Sequence, residues 1–187
     1  MKFLVASDLH GSTRAAELIL ELDQKFNFDN IFLLGDLNYN GARNPVPDDY
    51  FPKIVTEKLN SLKSKIYACK GNCESQVDLM VYDFPMPIYN IVTGKNMVFY
   101  LTHGDDEELI YKEPKINEFS IYGHTHVPVM ELAPSGGYIL NPGSMTFPKG
   151  KIGKSFIIID ENEPTLYEFD YNSEGKAVIL NKIYKKF

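Results

Sequence analysis

Five short apolar runs in this chain each stop at the same kind of place, a glycine beside an aspartate, asparagine or histidine. The run over 3–7 leads into Asp8-Leu-His10-Gly11, that over 31–34 into Gly35-Asp36-Leu-Asn38, and that over 66–69 into Gly71-Asn72-Cys73-Glu74. The run over 97–101 leads into Thr102-His103-Gly104, and that over 119–122 into Gly123-His124-Thr-His126. Short, continuously apolar segments of this kind read as buried strands. The first three alternate with helical patterns. Ser12 can cap a helix whose Ala15, Ala16, Leu18, Ile19 and Leu22 recur at helical spacing, and residues 50–62 place Ile54, Val55, Leu59 and Leu62 on one stripe. This β-α-β-α-β order predicts parallel strands with right-handed crossovers. Ligands in such sheets gather beyond the carboxyl ends of the strands, where the polar residues sit.

The second half changes character. Runs over 88–92 and 97–101 flank Thr93-Gly-Lys-Asn96, a hairpin signal, and further strands are expected over 119–122, 127–132, 138–140, 155–159, 165–169 and 177–183. No repeat, low-complexity tract or linker interrupts the 187 residues, so one domain over 1–187 is expected. A strand-rich half after an α/β half predicts a mixed α/β fold of two packed sheets with outer helices, a four-layer α-β-β-α sandwich.

The chemistry is concentrated in the strand-end motifs. All 4 histidines, His10, His103, His124 and His126, lie in them. Imidazole with carboxylate suits first-row divalent metals. The strand-end motifs together offer too many ligands for one tetrahedral ion. They suffice for two ions sharing a carboxylate, roughly 3.5–4 Å apart. An extended His124-x-His126 would aim both imidazoles at one site, one per ion, and Asp8 with His10 has the same spacing.

Asp8-x-His10, Gly35-Asp36, Gly71-Asn72, His103 and Gly123-His124-x-His126 together resemble the calcineurin-like metallophosphoesterase superfamily. The Gly-Asn-Cys variant, Asn141-Pro-Gly-Ser144 and Phe147-Pro-Lys-Gly150 resemble its small branch, the YfcE-type phosphodiesterases. The resemblance implies a first ion on Asp8, His10, Asp36 and His126, and a second on Asp36, Asn72, His103 and His124. Asp36 would bridge, with Asp36, Asn72 and His103 at the catalytic centre. The expected reaction is hydrolysis of a small phosphodiester by hydroxide held between the ions. Mn²⁺ is the first choice of metal, then Ni²⁺, Fe²⁺ or Zn²⁺, because affinity order alone does not choose. Two rival readings stand beside this one: a protein-interaction scaffold of the same fold, like a retromer subunit that has lost part of the ligand set, and a nucleotide-directed phosphoesterase.

Arg43 lies in the polar loop just after Asp36 and is a candidate phosphate clamp. Asn38 and Asn44 are candidate substrate contacts. Cys73 stands where larger members of the superfamily carry a histidine thought to assist the leaving group, and a thiol is a weak donor. Glu74 stands where the family often has aspartate, with no role legible in the sequence. Cys69 reads as a core strand residue. The acidic run over 105–108 reads as solvated loop, and would repel polyanions if it faced the cleft.

A formal net charge of -6 gives no global drive toward long nucleic acid or an anionic membrane. No apolar stretch approaches the roughly 20 residues of a membrane span. Asp8 and His10 follow the N-terminal apolar run too soon for a secretory segment. The two cysteines form no CxxC pattern, which fits a reducing compartment. A cytoplasmic protein acting on a small phosphodiester is expected, with self-association left open.

Overall fold

The structure is a computed structural model that describes residues 1–183. In chain order its elements are β1 (Lys2–Ala6), α1 (Thr13–Phe26), β2 (Asn30–Leu33), α2 (Pro52–Asn60), β3 (Ile66–Ala68), α3 (Gln76–Val81), β4 (Tyr89–Gly94), β5 (Met97–Thr102), a 3-10 turn (Glu107–Leu109), β6 (Glu118–Ile121), β7 (Val129–Leu132), β8 (Tyr138–Asn141), β9 (Lys154–Asp160), β10 (Glu163–Tyr171) and β11 (Ala177–Ile183). They form a six-stranded sheet, β11-β10-β9-β1-β2-β3, and a five-stranded sheet, β4-β5-β6-β8-β7. β1, β2 and β3 are parallel, as the sequence predicts, and β9 returns antiparallel to β1. β4 and β5 form the expected hairpin, with β6 and β8 added in parallel.

The continuous apolar runs are explained by two cores, one on each side of the first sheet. Alternate residues of a strand point to opposite faces. Leu4, Ala6, Ile31, Leu33 and Ile158 therefore pack under the helices. Phe3, Val5, Phe32, Leu34 and Ile157 pack against the second sheet, where they meet Phe99, Leu101, Phe119 and Leu140. Rings step through this inter-sheet core, with centroids of Phe3 and Phe99 4.7 Å apart, Phe99 and Phe119 5.0 Å, and Phe119 and Tyr138 5.4 Å. Each such pair contributes about 0.5–1.5 kcal/mol beyond area burial.

Ser12 caps α1 as expected, its side chain accepting from the Ala15 N–H at 3.2 Å. α2 starts at Pro52 rather than at residue 50, because Pro at the first helical turn has no N–H to leave unpaired. Tyr50 instead pairs with Ser12 in an isolated bridge. α3 was not expected. It is a six-residue helix with no buried residue, so it carries no apolar periodicity, and its start is set by a Ser75–Asp78 capping box. The two packed sheets give the mixed α/β architecture that the sequence predicts. The described α-helices are α1, α2 and α3, and the segment around the 3-10 turn lies over the outer face of the second sheet, with Tyr111 4.5 Å from Tyr100. No helix among the described residues is long and apolar enough to cross a membrane.

Candidate metal centre

The ends of β1, β2, β5 and β6, with the loop after β3, meet at one edge of the two sheets. Five of the seven expected ligands adopt left-handed backbone there: Asp8 (φ 56°), His10 (49°), Asp36 (53°), His124 (62°) and His126 (60°). Such geometry costs about 1–3 kcal/mol per residue and persists only where the surroundings impose it. It also corrects the reading of His124-x-His126, which is a bend rather than an extended segment. The two rings diverge onto separate clusters.

In the first cluster, Asp8 Oδ1 lies 3.1 Å from His126 Nε2 and 3.6 Å from His10 Nε2. His10 Nδ1 donates to the Tyr39 carbonyl at 2.9 Å, and His126 Nδ1 to the Phe147 carbonyl at 2.6 Å. A carbonyl only accepts, so both rings carry a hydrogen on Nδ1 and turn Nε2 inward. Those two nitrogens are 3.2 Å apart. Asp8 Oδ1, fully buried, has no hydrogen-bond partner among the described residues. Two imidazole nitrogens and a carboxylate oxygen converging at such distances form a donor set that a shared cation satisfies. Burial opposes ionisation of Asp8, yet the His10, His126 and His103 rings hold its carboxyl far below the usual range. Burial likewise opposes a proton on His10, but Asp8, the Tyr39 carbonyl and Asp36 push its pKa up.

In the second cluster, His103 Nδ1 donates to the Leu34 carbonyl at 2.6 Å and turns Nε2 toward Asn72 Oδ1 at 3.0 Å. His124 Nδ1 is 2.8 Å from the same oxygen and 3.3 Å from His103 Nε2. Burial and His103 both push the His124 pKa down. Asp36 Oδ2 lies between the clusters, 3.6 Å from His103 Nε2 and 3.9 Å from His10 Nε2. The donor set of carboxylate, imidazole and carboxamide oxygen fits first-row divalent cations.

Several positioning residues were not legible as such in the sequence. The Glu74 carboxylate accepts from the backbone N–H groups of Asp36, Leu37 and Gly71, so it ties the Asp36 loop to the Asn72 loop. Burial and nearby Asp36 push the Glu74 pKa up, against those three donors. The two loops approach so closely that a Cβ on Gly71 would overlap Asp36. Ser7 Oγ donates to Asp8 Oδ2 at 2.6 Å, and His124 N–H to the same oxygen at 3.1 Å, which leaves Oδ1 for the cluster. Ser144 Oγ donates to the Asp8 carbonyl and Thr146 Oγ1 to the Leu9 carbonyl, each at 2.8 Å, while Asn141 Nδ2 donates to the Gly123 carbonyl at 2.8 Å. The end of β8 and the segment after it thus clamp both the Asp8–His10 turn and the Gly123–His126 turn.

Both clusters open onto a cleft of about 700 Å³. Arg43 and Asn44 line it, although the Asn44 amide donates to the Asn40 carbonyl. Cys73 lines it too, its backbone N–H on Asp36 Oδ1 at 2.8 Å and its thiol pushed up to about 12 by burial and by Asp36, so the thiol is neutral. Asn38 does not line it. Its side-chain oxygen accepts from Tyr82 Oη at 2.8 Å and its nitrogen donates to Thr56 Oγ1 at 3.1 Å, so a buried polar network uses the amide that was expected to meet substrate. Lys149, not expected, lines the cleft with Arg43, and its backbone N–H donates to the His126 carbonyl at 3.0 Å. Cys69 is buried in the inter-sheet core, as expected.

The model of the calcineurin-like phosphoesterase superfamily domain matches residues 1–163. Phosphodiesterase YfcE of Escherichia coli (strain K12) is 39% identical over 190 residues, covering 97% of this chain and 99% of that protein. The solved structure of Yfce, a phosphoesterase from E. coli, superposes with a TM-score of 0.82 at 34% identity, over 98% of this chain and 99% of that one. Chaetomium thermophilum Vps29 shares the fold alone, with a TM-score of 0.65 at 14% identity over 100% of this chain and 99% of that one. A family match that takes in every strand-end motif, with its polar residues gathered at one sheet edge, establishes that this chain belongs to the calcineurin-like phosphoesterase superfamily.

Proposed function

We propose that this chain is a metal-dependent phosphodiesterase that hydrolyses small phosphodiesters at the strand-end clusters. The observation that carries the reading is the pair of inward imidazole nitrogens of His10 and His126, 3.2 Å apart beside an Asp8 oxygen with no hydrogen-bond partner among the described residues. Asp8, His10, Asp36 and His126 would hold one divalent ion, and Asp36, Asn72, His103 and His124 a second. When bound, such ions lower the pKa of water and neutralise charge on phosphoryl oxygens. Mn²⁺ is the first choice, then Ni²⁺, Fe²⁺ or Zn²⁺.

The chain's own residues do the positioning. Carbonyls at Tyr39, Phe147 and Leu34 lock three rings with Nε2 inward. Such outer partners orient ligands and raise their basicity. Asp36 places one carboxylate between the clusters, and Glu74 holds its backbone. Arg43 and Lys149 supply positive charge on the cleft wall for a phosphate oxygen. Cys73 offers the departing oxygen only a neutral thiol, which favours esters with acidic leaving groups. Two free cysteines suit a reducing, cytoplasmic setting. The scaffold reading is disfavoured because every expected ligand is present in a cluster.

The test is metal content together with turnover of bis-p-nitrophenyl phosphate. Two ions per chain, and activity lost on chelation and regained on Mn²⁺ addition, are expected. A single tightly held ion with full activity would overturn the two-ion assignment, and metal-loaded protein with no turnover would overturn the enzymatic reading.

A further inference from the structure

A second cavity, of about 370 Å³, adjoins the cleft beyond His124, and His124 and Thr125 belong to the walls of both. Ile139 of β8 lines it. That residue lies on the sheet face opposite its neighbour Tyr138, which stacks on Phe119 in the inter-sheet core. Ile110, just past the 3-10 turn, and half-buried Tyr122 complete an apolar lining. This is where the second sheet lacks a covering helix. The thin outer layer leaves a hollow in place of a filled core.

The rim is acidic on balance. Asp105 and Glu107, both exposed, line the cavity against a single cation, Lys112. The acidic run of the sequence therefore stands beside the site. A phosphoryl group held at Asn72, His103 and His124 has this hollow one side chain away.

We propose that the pocket formed by Ile110, Tyr122 and Ile139 seats an uncharged, ring-sized apolar arm of the phosphoester, and that Asp105 and Glu107 exclude an anionic arm in its place. The substrates are then small esters with an apolar, uncharged substituent, and polyanions such as oligonucleotides are disfavoured. The inference rests on the phosphoester reading of the metal centre.

The test measures binding, not turnover, on Mn²⁺-loaded protein. Methylphosphonate, phenylphosphonate and para-carboxyphenylphosphonate share an anionic head on a P–C bond that hydrolysis cannot break, and each has one arm to place. By calorimetric titration, phenylphosphonate is expected to bind about tenfold more tightly than methylphosphonate, a difference of about 1.4 kcal/mol. Ile139→Trp, which fills the hollow, should bring that ratio to about one. Tyr122→Ala should lower it and serves if the tryptophan variant does not fold. The para-carboxyl compound should lose most of the phenyl advantage, and the double variant Asp105→Asn, Glu107→Gln should restore it. Equal binding of the methyl and phenyl compounds by the wild type overturns the pocket assignment alone. So does a phenyl preference that survives these substitutions, since the ring then lies elsewhere, for instance beside Tyr39 and Tyr50 beyond Cys73. Failure of all three phosphonates to bind overturns the phosphoester reading, and the pocket assignment with it.

Discussion

Asp36 puts a single carboxylate within 4 Å of imidazoles from both clusters, 3.6 Å from His103 and 3.9 Å from His10. Asp36→Asn removes the negative charge that the proposed function has both ions share, while Arg43→Ala removes at most one exposed contact proposed for phosphate. The first is expected to lower kcat/KM by at least about 10²-fold and the second by no more than about tenfold, a difference of about 1.4 kcal/mol or more in barrier. Near-normal turnover of Asp36→Asn with full metal content would show that Asp36 is not shared. Glu74 makes a different prediction. A glutamine there must turn an NH₂ toward at least one of three backbone N–H donors. Glu74→Gln should cost about 1–3 kcal/mol of stability for the unpaired groups, and metal affinity should fall about 10–100-fold as the Asp36 loop loosens. Thermal unfolding with a Mn²⁺ titration checks both, and unchanged affinity would leave Glu74 a purely structural tie. Sequence alone could not assign Glu74 this role, because its three partners come from two loops on separate strands.

At the scale of elements, α1 shows how a helix start is built from two successive crossovers. Ser12 supplies the near cap. Asp49, from the segment before α2, accepts from the Arg14 N–H at 2.8 Å and from Ser12 Oγ at 2.6 Å. Burial opposes the Asp49 charge, but Ser12 and Arg14 outweigh it and hold the carboxyl below its ordinary value. A depressed folded pKa means stability that is present above the unfolded pKa and lost as pH falls through the folded one. Asp49→Ala should therefore cost about 1–2 kcal/mol near neutral pH, and the gap from wild type should close as pH falls below about 4. Urea unfolding at neutral and acidic pH measures it, and a gap independent of pH would mean that the loss is packing rather than charge. The helix and its Ser12 cap are legible from spacing and residue type. The distant second cap is not, since nothing local marks Asp49 as a partner of Ser12.

The whole molecule binds its ligand set at a cost. Five left-handed residues and crowded, like-polarity nitrogens make the strand-end site a place where folding energy is spent without a cation. Divalent ions that bind only the folded chain should therefore raise its stability, by about 2.7 kcal/mol for one site at a concentration 100 times Kd. For a chain of this size that corresponds to about 5–10 °C in Tm. Chelation should reverse the shift, and Asp36→Asn should blunt it. A Tm indifferent to Mn²⁺ would mean that the site is already satisfied without metal.

The sequence by itself determined the parallel β1-α1-β2-α2-β3 unit, the later strands and the family, because short apolar runs, helical periodicity and strand-end motifs are all local patterns. It also singled out the seven polar residues that meet at one sheet edge. It misjudged Asn38, which has the right chemistry at the right motif but whose amide is taken by Tyr82 and Thr56 from other elements. It took His124-x-His126 for extended chain, since period-two spacing does not reveal a left-handed backbone imposed by packing. It predicted the mixed α/β fold of two packed sheets, but a run of strands does not say which segment covers the outer face of the second. Tertiary structure alone decided which imidazole nitrogens turn inward, that Glu74 and Ser144 hold the ligand loops, that Lys149 joins Arg43, and that a hollow opens beside His124. Each depends on side chains far apart in sequence coming within hydrogen-bonding or contact distance, and no local pattern encodes that distance.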